Sequence, residues 1–263
     1  MDNSHLKSIH PKAILADKVE VGPFVSIAED VRIGEGTWIG PQVTIFDGVR
    51  IGANCKIYPG AVLGAVPQDL KYENEKTFLE IGNNVTIREY CTLNKGTKAN
   101  NKTTIGDHSL IMAYSHVAHD CIIGEHVVLA NNATLAGHIE IGNHAIVGGM
   151  VAVHQFTNIG ESSFVAGGSL VRKNVPPFVK VAREPLSYAG VNSVGLRRRG
   201  FSNKQINNIH EIYRILFVKG LSVSKAIEYI ETTINATPER DKILSFIDGS
   251  EKGIVKGFNS IKR

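Results

Sequence analysis

Residues 105–156 read IGDHSLIMAYSHVAHDCIIGEHVVLANNATLAGHIEIGNHAIVGGMVAVHQF. Every sixth residue is a branched aliphatic: Ile105, Ile111, Val117, Ile123, Leu129, Leu135, Ile141, Val147 and Val153. The same phase extends back to Ile9, through Leu15, Val21, Ile27, Ile33, Ile39, Ile45, Ile51, Ile57 and Leu63. It resumes at Ile81, Ile87 and Leu93, and runs forward through Ile159, Val165 and Val171. Of 28 positions in phase, 25 carry Ile, Leu or Val; the exceptions are Asp69, Glu75 and Ala99. The residue two places earlier is small or β-branched, as in Val19, Val25, Val31, Thr37, Val43, Val49, Cys55 and Ala61. Two such side chains pointing one way are the alternation of a short strand. The residue after the aliphatic is often Gly, which suits a corner needing an unusual backbone angle. Each hexad is thus a short strand plus a corner, and stacked hexads bury one continuous core.

Three hexads per turn predict a triangular prism of 18 residues per coil. The pattern resembles the left-handed parallel β-helix of hexapeptide-repeat proteins; the hand is implied by that resemblance. The expected fold class is mainly β, a left-handed parallel β-helix over 1–182 followed by a small α-helical domain over 183–263. Two polar stretches, 64–80 and 94–104, interrupt the period and return in phase. They are loops leaving the prism, carrying function or tolerated as surface insertions. Asn174-Val175-Pro176-Pro177 ends the repeat. Beyond it, Ser202 with Gln205 signals a capping box before Ile206, Ile209, Tyr213 and Leu216. Gly220 is the expected stop, Val223 to Ile230 mark a second helix, and Thr237-Pro238 opens a third.

Composition agrees. Aromatics are 7% of the chain and glycine numbers 26 of 263 residues, which fits a narrow interior. With 43% hydrophobic residues a disordered chain is excluded. Cys55, Cys91 and Cys121 all fall in the small inward column and read as core filling, not as a disulfide or zinc framework. The N-terminal stretch lacks a basic-then-apolar leader, and no run approaches about 18 apolar residues, so a cytoplasmic protein without a transmembrane segment is expected. Residues 1–182 carry a net charge of −2 and residues 183–263 a net charge of +6. The basic end fits an anionic partner or a solvated helical surface. It lacks the aromatic interleaving of a nucleic-acid surface.

Residues 18 apart stand one above another, about 4.8 Å apart. His119, Gly137 and Gln155 share one line, Asp120, His138 and Phe156 the next, and Ala118, Ala136 and His154 the line on the other side. Three histidines therefore gather at one corner, outside the inward columns. They suit acid–base catalysis, a metal site, or corner hydrogen bonding. Asp120 would tune His119 only through corner geometry, since neighbours in a strand face opposite ways. Gly137 offers an amide to an oxyanion.

The motifs His116-Val-Ala-His119-Asp120, Leu129 to His138, Gly148 to Phe156, Gln68-Asp69-Leu-Lys71 and Gly195-Leu-Arg-Arg198-Arg199-Gly resemble the UDP-N-acetylglucosamine acyltransferase family across essentially the whole chain. That resemblance implies transfer of a (3-hydroxy)acyl chain from acyl carrier protein to the sugar 3-hydroxyl, the first step of lipid A assembly. His119 would be the general base, Asp120 its support and Gly137 the oxyanion donor. Gln68, Asp69, Lys71, His116 and His138 would surround the sugar and acyl groups. His154, Gln155, Asn192, Arg198 and Arg199 would hold the nucleotide sugar, and Gly167 would leave room in the acyl pocket. Val194 and Ala65 stand where some relatives carry acidic residues. The family implies a homotrimer with acyl carrier protein as donor, no cofactor and no metal. The alternatives are a metal-dependent hydratase using His116, His119 and His138, or a hexapeptide N-acyltransferase.

Overall fold

The computed structural model describes residues 6–257. Its strands, mostly two residues long, form three parallel sheets that are the faces of a left-handed prism. Face one holds Ser8–Ile9 through Leu170–Val171, face two Ile14–Leu15 through Asn158–Ile159, and face three begins at Glu20–Val21. Each strand pairs with the one a coil above, as in Val117↔Leu135 and Leu135↔Val153. The chain turns a first corner from face one to face two, a second from two to three, and a third back to face one. The aliphatic column is buried along most of its length, from Ile27 to Val171, where burial of each such side chain contributes about 1.5–3 kcal/mol. The cysteines are buried with it, and burial pushes the thiols up, to about 11 for Cys91 and about 12 for Cys121. They are inert filling.

The corners correct one expectation. The glycines that follow the aliphatic do not take left-handed angles, except Gly64. They are small because the next coil is close: a Cβ on Gly34 would lie 2.6 Å from the Gly52 carbonyl carbon, and one on Gly106 would lie 2.5 Å from that of Gly124. The left-handed residues sit three places after the aliphatic, among them Asn54, Asn84, His108, Asp120, His126, Asn132, His138 and His144. Asn, Asp and His tolerate that region best among residues with a side chain.

Both interrupting loops leave the first corner, between Val62–Ala65 and Phe78–Ile81 and between Thr92–Asn94 and Lys102–Ile105. Past the prism, Val179–Ala182 continues face three and pairs antiparallel with Ser187–Val191, so residues 183–257 start with a strand before the helices. The helices are α1 (Ser193–Arg198), α2 (Asn203–Phe217), α3 (Val223–Thr233) and α4 (Pro238–Asp248). The Ser202–Gln205 capping box and the Thr237 cap are formed. Helix α2 ends at Phe217, ahead of Gly220, and α1 had no sequence signal of its own. Tyr213 fixes α2 to the prism end by donating its hydroxyl to the Pro177 carbonyl at 2.5 Å. Residues 1–5 and 258–263, at the outer ends of the two expected domains, lie outside the described residues.

Candidate active site

The first corner carries His119 on one coil and Gly137 and His138 on the next, joined by the His138 N–H to the His119 carbonyl at 3.0 Å. Asp120 takes a φ of +60°, and this turn brings its carboxylate round to its own neighbour. His119 Nδ1 lies 2.7 Å from Asp120 Oδ2. The aspartate side chain has no exposed surface and that of His119 only 8%. His119 stands outside the aliphatic core; the 94–104 loop packs on Asp120, and the next coil, through Gly137 and His138, packs on the His119 ring. Thr97 donates its N–H at 2.9 Å and its hydroxyl at 2.7 Å to Asp120, and the Asn100 N–H reaches the same carboxylate at 3.3 Å. Burial works to raise the Asp120 carboxyl, but the His119 and Thr97 bonds outweigh it and hold it below the ordinary carboxylate value. An ionised Asp120 can only accept, so His119 carries its proton on Nδ1 and presents a lone pair at Nε2.

Gly137 is packed against that ring: a Cβ there would lie 2.6 Å from His119 Cε1 and 2.7 Å from Nε2. Among the described residues its N–H meets no acceptor. A base and a free amide thus stand side by side, the arrangement an acyl transfer needs. His138 meets His119 edge-on, ring centroids 5.1 Å apart, and stacks on Phe156 at 4.6 Å. Burial lowers the His138 imidazole below its ordinary value, with Asp120 and Asp69 opposing, so the 64–80 loop places Asp69 near it. Asp69 also accepts from the Lys71 N–H at 3.0 Å, while Lys71 and Gln68 are exposed. His116 is held by Thr92 Oγ1 at 2.7 Å and is lowered by burial.

Other sequence-chosen residues lie elsewhere. His154 is exposed at the first corner, where Lys252 reaches back from the chain end to bond the Gln155 carbonyl and approaches His154 Nδ1 at 3.4 Å. Arg199 is at the second corner, donating to the His144 carbonyl at 3.0 Å, with Nε and Nη2 buried and unpaired among the described residues. Gly167 follows Val165 of face three and belongs to the third corner. The metal alternative is altered: His119, Asp120 and His138 bring ligand atoms within 4.8 Å of one another, and His116 is not among them. The first two are already bonded to each other.

The family model for bacterial transferase hexapeptide repeats matches residues 30–65 and 102–137, and that for UDP N-acetylglucosamine O-acyltransferase, domain 2, matches residues 174–255. An acyl-[acyl-carrier-protein]–UDP-N-acetylglucosamine O-acyltransferase of Chlorobaculum tepidum is 53% identical over 264 residues, covering 99% of this chain and 100% of that one. The protein of the same description in Chlorobium phaeobacteroides is 56% identical over 255 residues, covering 96% and 97%. The chain belongs to the UDP-N-acetylglucosamine O-acyltransferase family. The solved Bacteroides fragilis UDP-N-acetylglucosamine acyltransferase is similar with a TM-score of 0.94 and 44% identity, covering 95% of this chain and 98% of that one. The Arabidopsis UDP-N-acetylglucosamine acyltransferase is similar at 0.84 and 34%, covering 95% and 99%.

In this family member the nucleotide residues chosen from sequence differ in how free they are. Asn192 is buried and its amide is spent, donating to the Ser162 carbonyl at 2.9 Å and accepting from the Gly195 N–H at 3.3 Å as the cap of α1. Arg198 and Val194 are exposed on α1. Thr97, Asn100 and Lys252 were not singled out by sequence, and Phe156 only as the residue in line with Asp120 and His138. Thr97 and Asn100 lie where the period is broken, so no column marks them.

Proposed function

We propose that the chain transfers an acyl group from acyl carrier protein to the 3-hydroxyl of UDP-N-acetylglucosamine, opening lipid A assembly, with His119 as general base. The bond from His119 Nδ1 to Asp120 beside the unpaired Gly137 amide carries this reading. His119 Nε2 takes the hydroxyl proton as the oxygen attacks the thioester carbonyl. The Gly137 N–H meets the oxyanion, and the imidazolium returns its proton to the departing carrier thiolate. Asp69, Lys71, Gln68, His116 and His138 surround the sugar and acyl groups, and Asn192 shapes the nucleotide end through the cap it makes. The steps require neither cofactor nor metal.

His119, Arg199 and Gly167 occupy three different corners of one prism. They serve one substrate only if copies of the chain stand side by side, which supports a homotrimer with sites between neighbours. Arg198, His154 and Gln155 suit the diphosphate and its nucleotide, and Arg199, whose unpaired Nε and Nη2 are enclosed in the single chain, adds its positive charge beside them. The basic +6 end suits docking of the acidic carrier. Among the described residues no helix is long and apolar enough to cross a membrane, and a cytoplasmic site of action fits the soluble substrates.

His119→Ala is expected to lose nearly all transfer in an assay with acyl carrier protein donors while keeping its unfolding transition. Wild-type turnover in that variant would remove the base. Treatment with a chelator is expected to leave turnover unchanged. Loss that zinc restores would instead favour the metal reading of His119, Asp120 and His138.

A further inference from the structure

The Asp120 carboxylate faces two loop groups whose geometry fixes more than its position. Thr97 Oγ1 accepts from the Ala99 N–H at 3.2 Å. Its own proton is therefore directed at Asp120 Oδ2, 2.7 Å away, the same oxygen that faces His119 Nδ1 at 2.7 Å. Oδ1 is occupied separately, by the N–H groups of Thr97 at 2.9 Å and Asn100 at 3.3 Å. The backbone on either side is tied as well: the Asp120 N–H donates to Thr103 Oγ1 at 2.9 Å, and Asn100 Nδ2 donates to the Asp120 carbonyl at 3.3 Å. All these partners come from one loop and the strand that follows it. Thr97 is itself buried, at 7% exposure.

We infer that Thr97 is a positioning residue of the reaction, whose hydroxyl shares Asp120 Oδ2 with His119 and so sets both the direction of the imidazole and how strongly the carboxylate holds its proton. This rests on His119 being the base. The carboxylate rotates freely about its last bond unless both oxygens are held. With Oδ1 fixed by two backbone N–H groups and Oδ2 fixed by Thr97, the remaining lone pair of Oδ2 points at Nδ1. A donor already on Oδ2 also draws charge from that oxygen. The pull on the imidazolium that forms when the sugar hydroxyl is deprotonated is then moderated, and the proton can be handed on to the leaving thiolate. The other titratable groups about the pair are His138 on the next coil, whose Nε2 lies 3.6 Å from the same Oδ2, Asp69 of the 64–80 loop, which acts on His138, and the buried Cys121 thiol, which burial and Asp120 hold protonated. None of these touches Thr97 Oγ1, so the hydroxyl acts through Asp120 alone.

Thr97→Val removes the hydroxyl at nearly constant volume. The bonds from the residue-97 N–H, the Asn100 N–H and Asn100 Nδ2 remain to hold the loop. The expected result is a fall in kcat of about tenfold, the scale of one lost hydrogen bond acting on the transition state, with little change in KM for UDP-N-acetylglucosamine. The acid limb of kcat/KM against pH should move to higher pH by several tenths of a unit, because Oδ2 then gives all its charge to the imidazolium. Thr97→Ser, which keeps the hydroxyl, should recover both kcat and the acid limb. The proposal is overturned if Thr97→Val keeps wild-type kcat and an unmoved acid limb. It is also overturned if Thr97→Ser is as impaired as Thr97→Val, since packing of the loop would then carry the effect. His119→Ala measured beside them separates the two readings. If it is inactive while Thr97→Val is normal, only the Thr97 role fails; if it is fully active, the base itself fails.

Discussion

Two corners of this prism carry ladders of histidines, and they have opposite chemistry. At the second corner His108, His126 and His144 stack in parallel, ring centroids 4.8 and 4.7 Å apart and planes within 12°. All three occupy the left-handed corner position, and two are exposed. At the first corner His138 takes that same position, but His119 sits one place earlier and meets it edge-on. There an aspartate fills the left-handed position beside His119, and the 94–104 loop holds its carboxylate. The period alone makes a ladder. A polar insertion at the same corner, supplying donors and excluding water, makes a base.

The comparison breaks most sharply at two glycines. Gly137→Ala places a Cβ 2.6 Å from His119 Cε1, and the ring must swing to make room. Turnover is expected to fall about 100-fold, as for a reacting group displaced by an ångström, with little change in the unfolding midpoint. Near-normal kcat would mean that the His119 position is not critical. Gly106→Ala at the second corner places its Cβ 2.5 Å from backbone that cannot yield. It should cost about 1–3 kcal/mol of stability, measured by denaturant unfolding, with kcat unchanged below the transition.

How much of this was legible follows from where the period holds. Within each unbroken run, Ile9 to Leu63, Ile81 to Leu93 and Ile105 to Val171, the inward position and relative face of every hexad could be counted off, because a two-residue strand leaves the aliphatic only one way to point. Across the loops the count slips, since Leu63 and Ile81 are 18 residues apart yet lie on neighbouring faces. The vertical lines through His119, Gly137 and His138 could be counted too. The reason for the glycine column could not, because contact between coils is a three-dimensional distance that a one-dimensional repeat does not state. The His119–Asp120 bond needed the φ of +60° at Asp120, which only the corner geometry reveals. Thr97 was hidden because the loop that carries it has no phase. Asn192 and Arg199 were visible as motif residues, yet their surroundings differ. One is consumed in capping α1 and the other waits at a different corner with unpaired donors.

Acid titration sharpens the contrast. Burial lowers His116 on face one, His138 at the first corner and His144 at the second, where His126 and Arg199 add to it. An imidazole lowered by folding binds its proton more readily in the unfolded chain, whose histidines titrate near about 6.5. Stability is therefore full above that value and declines as pH falls through the folded values. Asp120 is shifted down, so its contribution is present above about 3.9 and is lost only at lower pH. Unfolding free energies measured from pH 7 to 5 should fall less in His138→Gln and in His144→Gln than in the parent chain. Only His138→Gln should also lose turnover. An equal loss of kcat in both would erase the distinction between the corners.

The smallest effect expected is at the centre of the exposed ladder. His126 stacks on both neighbours, but its ring is exposed, and its backbone has a φ of +55° that Asn also accepts. His126→Asn keeps the corner conformation and removes only the stack. The change in unfolding free energy should stay within about 0.5 kcal/mol, as for surface positions generally, and kcat and KM should be unchanged. There is one route by which this could fail. His144, the next ring in the stack, offers its carbonyl to Arg199 Nη1 at 3.0 Å, and Arg199 is the cation proposed for the diphosphate. If His126→Asn raised KM for UDP-N-acetylglucosamine several-fold with kcat intact, the second ladder would be a brace for that arginine, and the two corners would be two halves of one site.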